Sequence, residues 1–422
     1  MSRNVFISFL GTNDYEQCRY VINGDFEMTT KFVQEAVISY RCIDWTDDDR
    51  ILVFTTDGAK NNNWGELYSA LNARELAPVI EAVMIPDEIS EKTMWKVFKI
   101  IFDKLQKEDK ILVDITHGFR SSPMLLLTLI NYSSFLKDTS VDKIYYGAYT
   151  AMSTLNVDYA PVWDLTDFIL LHEWTLGANE YINYGQPERI ASLAKRSAIP
   201  YIREDHSKVS ALKITNFASS ICRAANMFSS VRGISISSAE LLQTVIYNSE
   251  EVGKVDIVEP LKPFMSKTID KFKGFNPDDV LNFLPAVKYC IDHALIQQGI
   301  TFLQEGIISY ALSRSDLPWC TIYENERKSI LKNREMLSGV LNFIAISKRG
   351  KKVEWDWTKY PIDVIQRLQN DSFCMAVANT YTNISEYRND INHGGYICPK
   401  GSNDFMKMLK KGYDLVKNIV GH

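Results

Sequence analysis

"KILVDITHGFRSSPM", residues 110 to 124, decides how the first part of this chain folds. A short β-branched run ends at Asp114 and Thr116, a turn follows through His117, Gly118, Phe119, Arg120, Ser121 and Ser122, and Pro123 stands where a helix would begin. That is a strand, a ligand-sized turn and a helix N-terminus, the repeating unit of a parallel sheet. Similar runs recur on both sides: "VFISFLG", "RILVFTTDG", "PVIEAVMIP" and "KIYYGAYT". Stretches of helical period lie between them, among them "NWGELYSALNAREL" and "SEKTMWKVFKIIFDKLQK". The alternation predicts βαβ units and a mainly parallel sheet covered on both faces.

The last sheet-like piece is "VDYAPVWDLT", where Pro161 and Asp164 mark a change of character. Beyond it the apolar spacing is helical to the end, as in "LLQTVIYNSEEVGKV", "LNFLPAVKYCIDHALIQQGITFLQEGIISYAL" and "NDFMKMLKKGYDLVKNIV". The expected architecture is therefore α/β over 1–165, a helical connector over 166–205 and an all-α region over 206–422. Loops at "AIPYIREDHS" and "LKPFMSKTIDKFKGFNPDD" are expected to divide the helical part. There is no internal repeat and no low-complexity tract.

At 422 residues, 46% hydrophobic and 23% charged, the chain has the composition of an ordinary globular protein. Its formal net charge of -5 excludes a basic nucleic-acid coat, so nucleic-acid binding would need a local groove. The densest basic run, Lys348, Arg349, Lys351 and Lys352, reads as a solvated loop. Seven cysteines stand singly with no C-x-x-C, which suits reduced thiols in a cytoplasm. The apolar "NVFISFLG" is too short for a signal peptide, and no stretch reads as a membrane span.

Two constellations carry chemistry. In open parallel sheets, ligands bind where strands end and helix N-termini offer free N–H groups. "GTNDY" puts Gly11, Thr12 and Asn13 at the first such end; the turn after Asp114 supplies Thr116, His117, Gly118, Phe119, Arg120 and Ser121. Gly118 would let a ligand approach the backbone, Ser121 or Ser122 could cap the helix, Arg120 offers a donor fork and Phe119 a stacking face. Neither a dinucleotide G-x-G-x-x-G nor a Walker loop is present, so a single-turn anion cradle is the expectation. The loop "TTDGAKNNNW" could add Thr56, Asp57 or Asn61, a flexible polar turn being its simpler reading.

The second constellation is "EYRNDINHGG", 386–395, at a predicted helix end closed by Gly394 and Gly395. Asn389 and His393 are four apart and share a face, as do Arg388 and Asn392. Arg388 and His393 are five apart, about 140 degrees around the axis, so they converge only if the Arg bends or a second copy approaches. These residue types suit RNA cleavage by the ribose 2'-hydroxyl: His393 as acid or base, Arg388 bracing the phosphate, the asparagines positioning. No His/Asp/Cys spacing suggests a metal cage, and no cofactor is expected.

Together, "ISFLGTNDY", "DITHGFRSSP", "YAPVWDLTDF" and "RNDINHGG" resemble the CARF-HEPN ribonucleases of type III CRISPR systems, with firmest points at 4–15, 111–123, 157–168 and 386–395. The resemblance implies a Rossmann-like CARF domain that dimerises and binds cyclic oligoadenylate, the tetraadenylate taken ahead of the hexaadenylate. It also implies a HEPN domain that cuts single-stranded RNA to a 2',3'-cyclic phosphate without metal. The R-x4-H pair falls on Arg388 and His393, with Asn389 after the Arg, and the messenger loops fall on Gly11 to Asn13 and Thr116 to Ser122. Degradation of the ring by the CARF domain, and a non-catalytic nucleotide sensor, are the rival readings.

Overall fold

The computed structural model describes residues 2–87, 90–118, 121–203, 208–254, 262–352, 355–397 and 399–421. The chain divides into two compact units, Met1–His172 and Glu173–His422.

The first unit is built on one eight-stranded sheet: β1 Asn4–Leu10, β2 Cys18–Ile22, β3 Phe26–Thr30, β4 Arg50–Thr55, β5 Val79–Met84, β6 Lys110–Asp114, β7 Ser140–Gly147 and β8 Ala160–Asp164. Their order is β3-β2-β8-β7-β6-β1-β4-β5. β1 lies between β4 and β6 and is parallel to both, and every residue from Val5 to Leu10 is buried. Phe6 and Leu10 join a core on one face with Val37 and Leu67, while Val5, Ile7 and Phe9 join a second core with Ile101 and Leu129. A strand dressed with apolar side chains on both faces is what two helical layers require, and it explains the unbroken run "VFISFL".

The sheet is mainly parallel, as expected, with two antiparallel pairs. β2 and β3 form an antiparallel hairpin, and β7 pairs antiparallel with β8. The hairpin turns at Asn23 and Gly24, both left-handed (φ 53° and 80°), with the Asp25 N–H donating to the Ile22 carbonyl. An Asn-Gly pair between apolar runs is a strong hairpin signal.

Among the described residues, every regular element of the second unit is a helix. The long apolar stretch of 281–312 splits into helices Phe283–Asp292 and Ile296–Arg314, broken at a left-handed Ala294. Two segments expected as loops are helical in part. The helix Glu188–Arg203 runs through Pro200 of "AIPYIREDHS", whose residues 204–207 lie outside those described. Lys262–Phe272 takes the first part of "LKPFMSKTIDKFKGFNPDD" with Pro263 in its first turn, where a missing N–H costs nothing, leaving the expected loop at 273–279. The helix Thr166–Tyr184 spans the division between the units.

Among the described residues six cysteines are unpaired, and Cys398 lies outside them. No described helix is long and apolar enough to cross a membrane.

Candidate functional sites

The strand order reverses at β1. From β1 the chain runs out to the β2–β3 hairpin at the far edge, comes back to β4 beside β1 and β5 beyond it, then crosses to β6 on the other side of β1. The carboxyl ends of β1 and β6 are therefore neighbours at a topological switch point, where open α/β sheets leave a crevice for a ligand. Gly11, Thr12 and Asn13 leave one end; Thr116, His117 and Gly118 leave the other.

The crevice is held by buried polar groups. Asp114 is fully buried; one carboxylate oxygen accepts the Ser8 hydroxyl at 2.7 Å across the β1–β6 pair, and the other accepts the Thr116 N–H at 3.0 Å and its hydroxyl. Thr116 Oγ1 in turn accepts the Gly147 N–H at 2.7 Å. A Cβ at Gly147 would stand 2.8 Å from Val33 Cγ2, so glycine is required for that approach. Asp114 and Thr116 thus fix where the turn leaves the sheet.

On the β1 side the Tyr15 hydroxyl accepts the Gly11 N–H at 2.8 Å, and burial pushes the Tyr15 phenol up to about 12. The edge of its ring meets His117, with centroids 4.8 Å apart. His117 Nε2 is enclosed with no partner among the described residues, and burial lowers its pKa against the opposing pull of Asp114. The imidazole is therefore neutral near pH 7.

"TTDGAKNNNW" is ordered where a flexible turn was the simpler expectation. Thr56 Oγ1 caps a helical run from Asp57, and the five residues Lys60–Trp64 form a π-turn. The widened turn aims two asparagines at the β1 loop. Asn63 donates to the Gly11 and Asn13 carbonyls, both at 2.9 Å, and Asn62 to the Thr12 carbonyl at 3.1 Å. Asn61, the residue the sequence had offered, makes no such bond among the described residues. Ser121 is the N-cap residue of the helix Ser122–Lys137, but its side chain makes no capping bond, contrary to expectation. Phe119, Arg120 and the side chain of Ser122 lie outside the described residues.

In the helical unit, Ser372–Asn392 is a helix capped at its start by Asp371, which accepts the Cys374 N–H at 2.9 Å. It ends as the two glycines require: Gly394 and Gly395 take φ of 62° and 71°, and the Gly395 N–H returns to the Asp390 carbonyl at 2.9 Å. Arg388 is half-buried and lines a cavity of about 490 Å³ with Glu305, Arg334 and Trp319. Its guanidinium donates to Gln304 Oε1 at 3.4 Å and lies 3.5 Å from a Glu305 oxygen. Asn389, Asn392 and His393 are exposed, and His393 is absent from the cavity lining. Among the described residues no hydrogen bond joins Arg388 and His393.

Asp390 was not anticipated. Its side chain is 7% exposed, its Oδ2 accepts the Lys400 N–H at 3.1 Å, and Oδ1 is buried without a partner among the described residues. It ties the segment after the glycines back to the helix, and only the tertiary path of the loop reveals this.

A family model described as the CARF domain of the CRISPR system endoribonuclease Csx1 matches residues 5–150. The chain is also 25% identical over 263 residues to the CRISPR-associated protein MJ1674 of Methanocaldococcus jannaschii, covering 62% of this chain. The match spans 36% of that relative, about a third of its length. The mainly parallel sheet with its switch-point crevice is consistent with that match: residues 5–150 are similar to the CARF domains of CRISPR-associated proteins.

Proposed function

We propose that this chain is a cyclic oligoadenylate-controlled endoribonuclease of type III CRISPR defence, acting in the cytoplasm as a homodimer or a higher assembly of dimers. The observation that carries the reading is the pairing of a switch-point crevice in a CARF-type domain with an R-x4-H pair at a glycine-closed helix end. In the crevice, Gly11 to Asn13 and Thr116 to Ser121 would meet the adenylate ring. The β1 loop is fixed by Asn62 and Asn63, so the ring meets a shaped surface rather than a mobile one.

In the helical unit, of HEPN type in this reading, Arg388 braces the scissile phosphate, His393 moves the proton, and Asn389 orients substrate. The nucleophile is the RNA's own 2'-hydroxyl, so the reaction needs no metal and leaves a 2',3'-cyclic phosphate. Arg388 faces a cavity while His393 faces solvent, so a second copy of the helix would complete the site. Control is then a matter of population: the ring must bind the cleaving arrangement more tightly than the resting one, by about 5.5 kcal/mol for a swing from 1:99 to 99:1.

The test is cleavage of a fluorogenic single-stranded RNA in EDTA, with no ring, cyclic tetraadenylate or cyclic hexaadenylate, for the native chain and His393→Ala. Cleavage that requires one ring, withstands EDTA and is lost in the variant supports the reading and identifies the messenger. A ring that binds without eliciting cleavage would move the chain to a non-catalytic or ring-degrading sensor.

A further inference from the structure

The Arg388 cavity adjoins a second one. A cavity of about 570 Å³ is lined by Arg223, Asn226, Ser230, Arg232, Ser235 and Thr244, among others. Arg232 lines both. The second cavity holds Arg223 and Arg232 against Glu240; the first holds Arg232, Arg334 and Arg388 against Glu305. Both are locally cationic in a chain of net charge -5.

The cations differ in what they already hold. Arg334 is spoken for: it donates to Ser309 Oγ, the Trp319 carbonyl and both the carbonyl and carboxylate of Glu305. Glu305 is thereby neutralised and holds Arg388 only loosely, at 3.5 Å. Arg223 is exposed and has no hydrogen-bond or ion-pair partner among the described residues. Arg232 is exposed and bonds only the Ser230 carbonyl, its Nε at 2.8 Å. It is presented by an unusual turn: the helix Lys208–Ser229 closes through Val231 at φ 55°, with the Arg232 N–H returning to the Met227 carbonyl at 3.0 Å. A β-branched residue in the left-handed region is strained, and such strain gathers where a side chain must be aimed.

Free guanidinium groups beside hydroxyls and an amide suit a phosphate and ribose chain, and the lining of the second cavity supplies little apolar surface for anything else. We propose that the two cavities form one track for single-stranded RNA, with Arg223 and Arg232 holding backbone phosphates on the way to Arg388. This deepens the ribonuclease reading and rests on it. Binding through the backbone would be tolerant of sequence and sensitive to salt.

The test uses the full chain carrying His393→Ala, to prevent turnover, and a fluorescein-labelled mixed-sequence single-stranded RNA. Anisotropy is recorded from about 50 to 200 mM salt, with each cyclic oligoadenylate and without. Arg223→Ala with Arg232→Ala is expected to weaken binding about tenfold or more and to lower the salt slope by about 1.4, two phosphates at about 0.7 each. Lysines at both positions keep most of that slope, and Lys267→Ala, an exposed cation outside both cavities, leaves it unchanged. With His393 intact, the double alanine variant raises KM with kcat retained. Arg223→Glu, which has no internal bond to lose, must weaken binding by itself. If these variants bind like their parent while the native chain cleaves RNA, the track is overturned and the ribonuclease stands. If the His393→Ala parent does not bind RNA and the native chain does not cleave it with either ring, both fall together.

Discussion

The crevice at the β1 and β6 ends and the end of the Ser372–Asn392 helix were both read as sites, yet they are built in opposite ways. In the crevice the groups that shape the backbone are engaged inside their own unit: Asp114 with Ser8 and Thr116, Thr116 with Gly147, Gly11 with Tyr15 and Asn63. At the helix end the reactive groups are held loosely or not at all, Arg388 by contacts of 3.4 and 3.5 Å, His393 exposed. A preorganised crevice suits binding that must register a ring's shape. An unfinished site suits chemistry that must stay off until another copy arrives. The contrast predicts that substitutions at the first will cost folding and binding, and those at the second activity alone.

The largest expected effect lies at the helix end. His393→Ala should lower RNA cleavage about 10²- to 10⁴-fold, the usual contribution of a positioned acid or base, while unfolding in urea shifts by no more than about 0.5 kcal/mol. Mixing His393→Ala with Arg388→Ala protein sharpens the point. If the site is shared between copies, the mixture recovers part of the activity that neither variant has, and no recovery would mean each copy works alone.

Next comes Asp114→Ala. It leaves the Ser8 hydroxyl and the Thr116 N–H without their buried acceptor, so a loss of about 3 kcal/mol in the stability of the first unit is expected. Ring binding should go with it. A variant that unfolds like the native chain would break the contrast, because the crevice would not then depend on its internal bonds.

Asn63→Ala should cost about 1–3 kcal/mol by the same reasoning, since two carbonyls of the β1 loop lose their donor. Its signature is a weaker ring affinity in calorimetry with RNA cleavage restored at high ring concentration. Asn61→Ala, two residues away on the same turn, is expected to change neither.

How much of this was legible beforehand follows from what a sequence encodes locally. The β1 and β6 ends could be read because a two-sided apolar strand, a polar turn and a helix start are local patterns. That they are adjacent depends on strand order, which no local pattern carries. The hairpin at Asn23 and Gly24 was readable and passed over, its strands being short and broken by charge. Asn63 was missed because a polar run with one glycine reads as a loop, while the bonds that give it its place, to the Gly11 and Asn13 carbonyls, are long-range. Pro200 and Pro263 misled for the opposite reason: a proline marks a loop by frequency, yet it is accommodated in a helix's first turn or within a helix that packing supports. At the helix end, spacing alone placed Arg388 and His393 about 140 degrees apart around the axis, and in the structure Arg388 lines the cavity while His393 is exposed.

The smallest effect concerns His117, whose neighbours in the crevice are the Asp114 carboxylate and the Tyr15 ring. Burial holds its folded pKa below the ordinary histidine value of about 6.5, the value it regains on unfolding. As pH falls through that value the unfolded chain takes up a proton that the folded one refuses, so stability is complete above it and declines below. The decline can be no steeper than one proton's worth, and it flattens again only once the folded imidazole is also protonated. His117→Gln should remove this share of the acid loss below about pH 6.5, seen as a shallower fall of the urea midpoint. His293 in the helical unit is lowered by burial and by Lys271 as well, so it contributes a parallel decline that the substitution leaves in place. If His117→Gln left the fall of the midpoint as steep as in the native chain, the imidazole would not be closed off in the crevice, and the contrast between an engaged site and an open one would lose its support there.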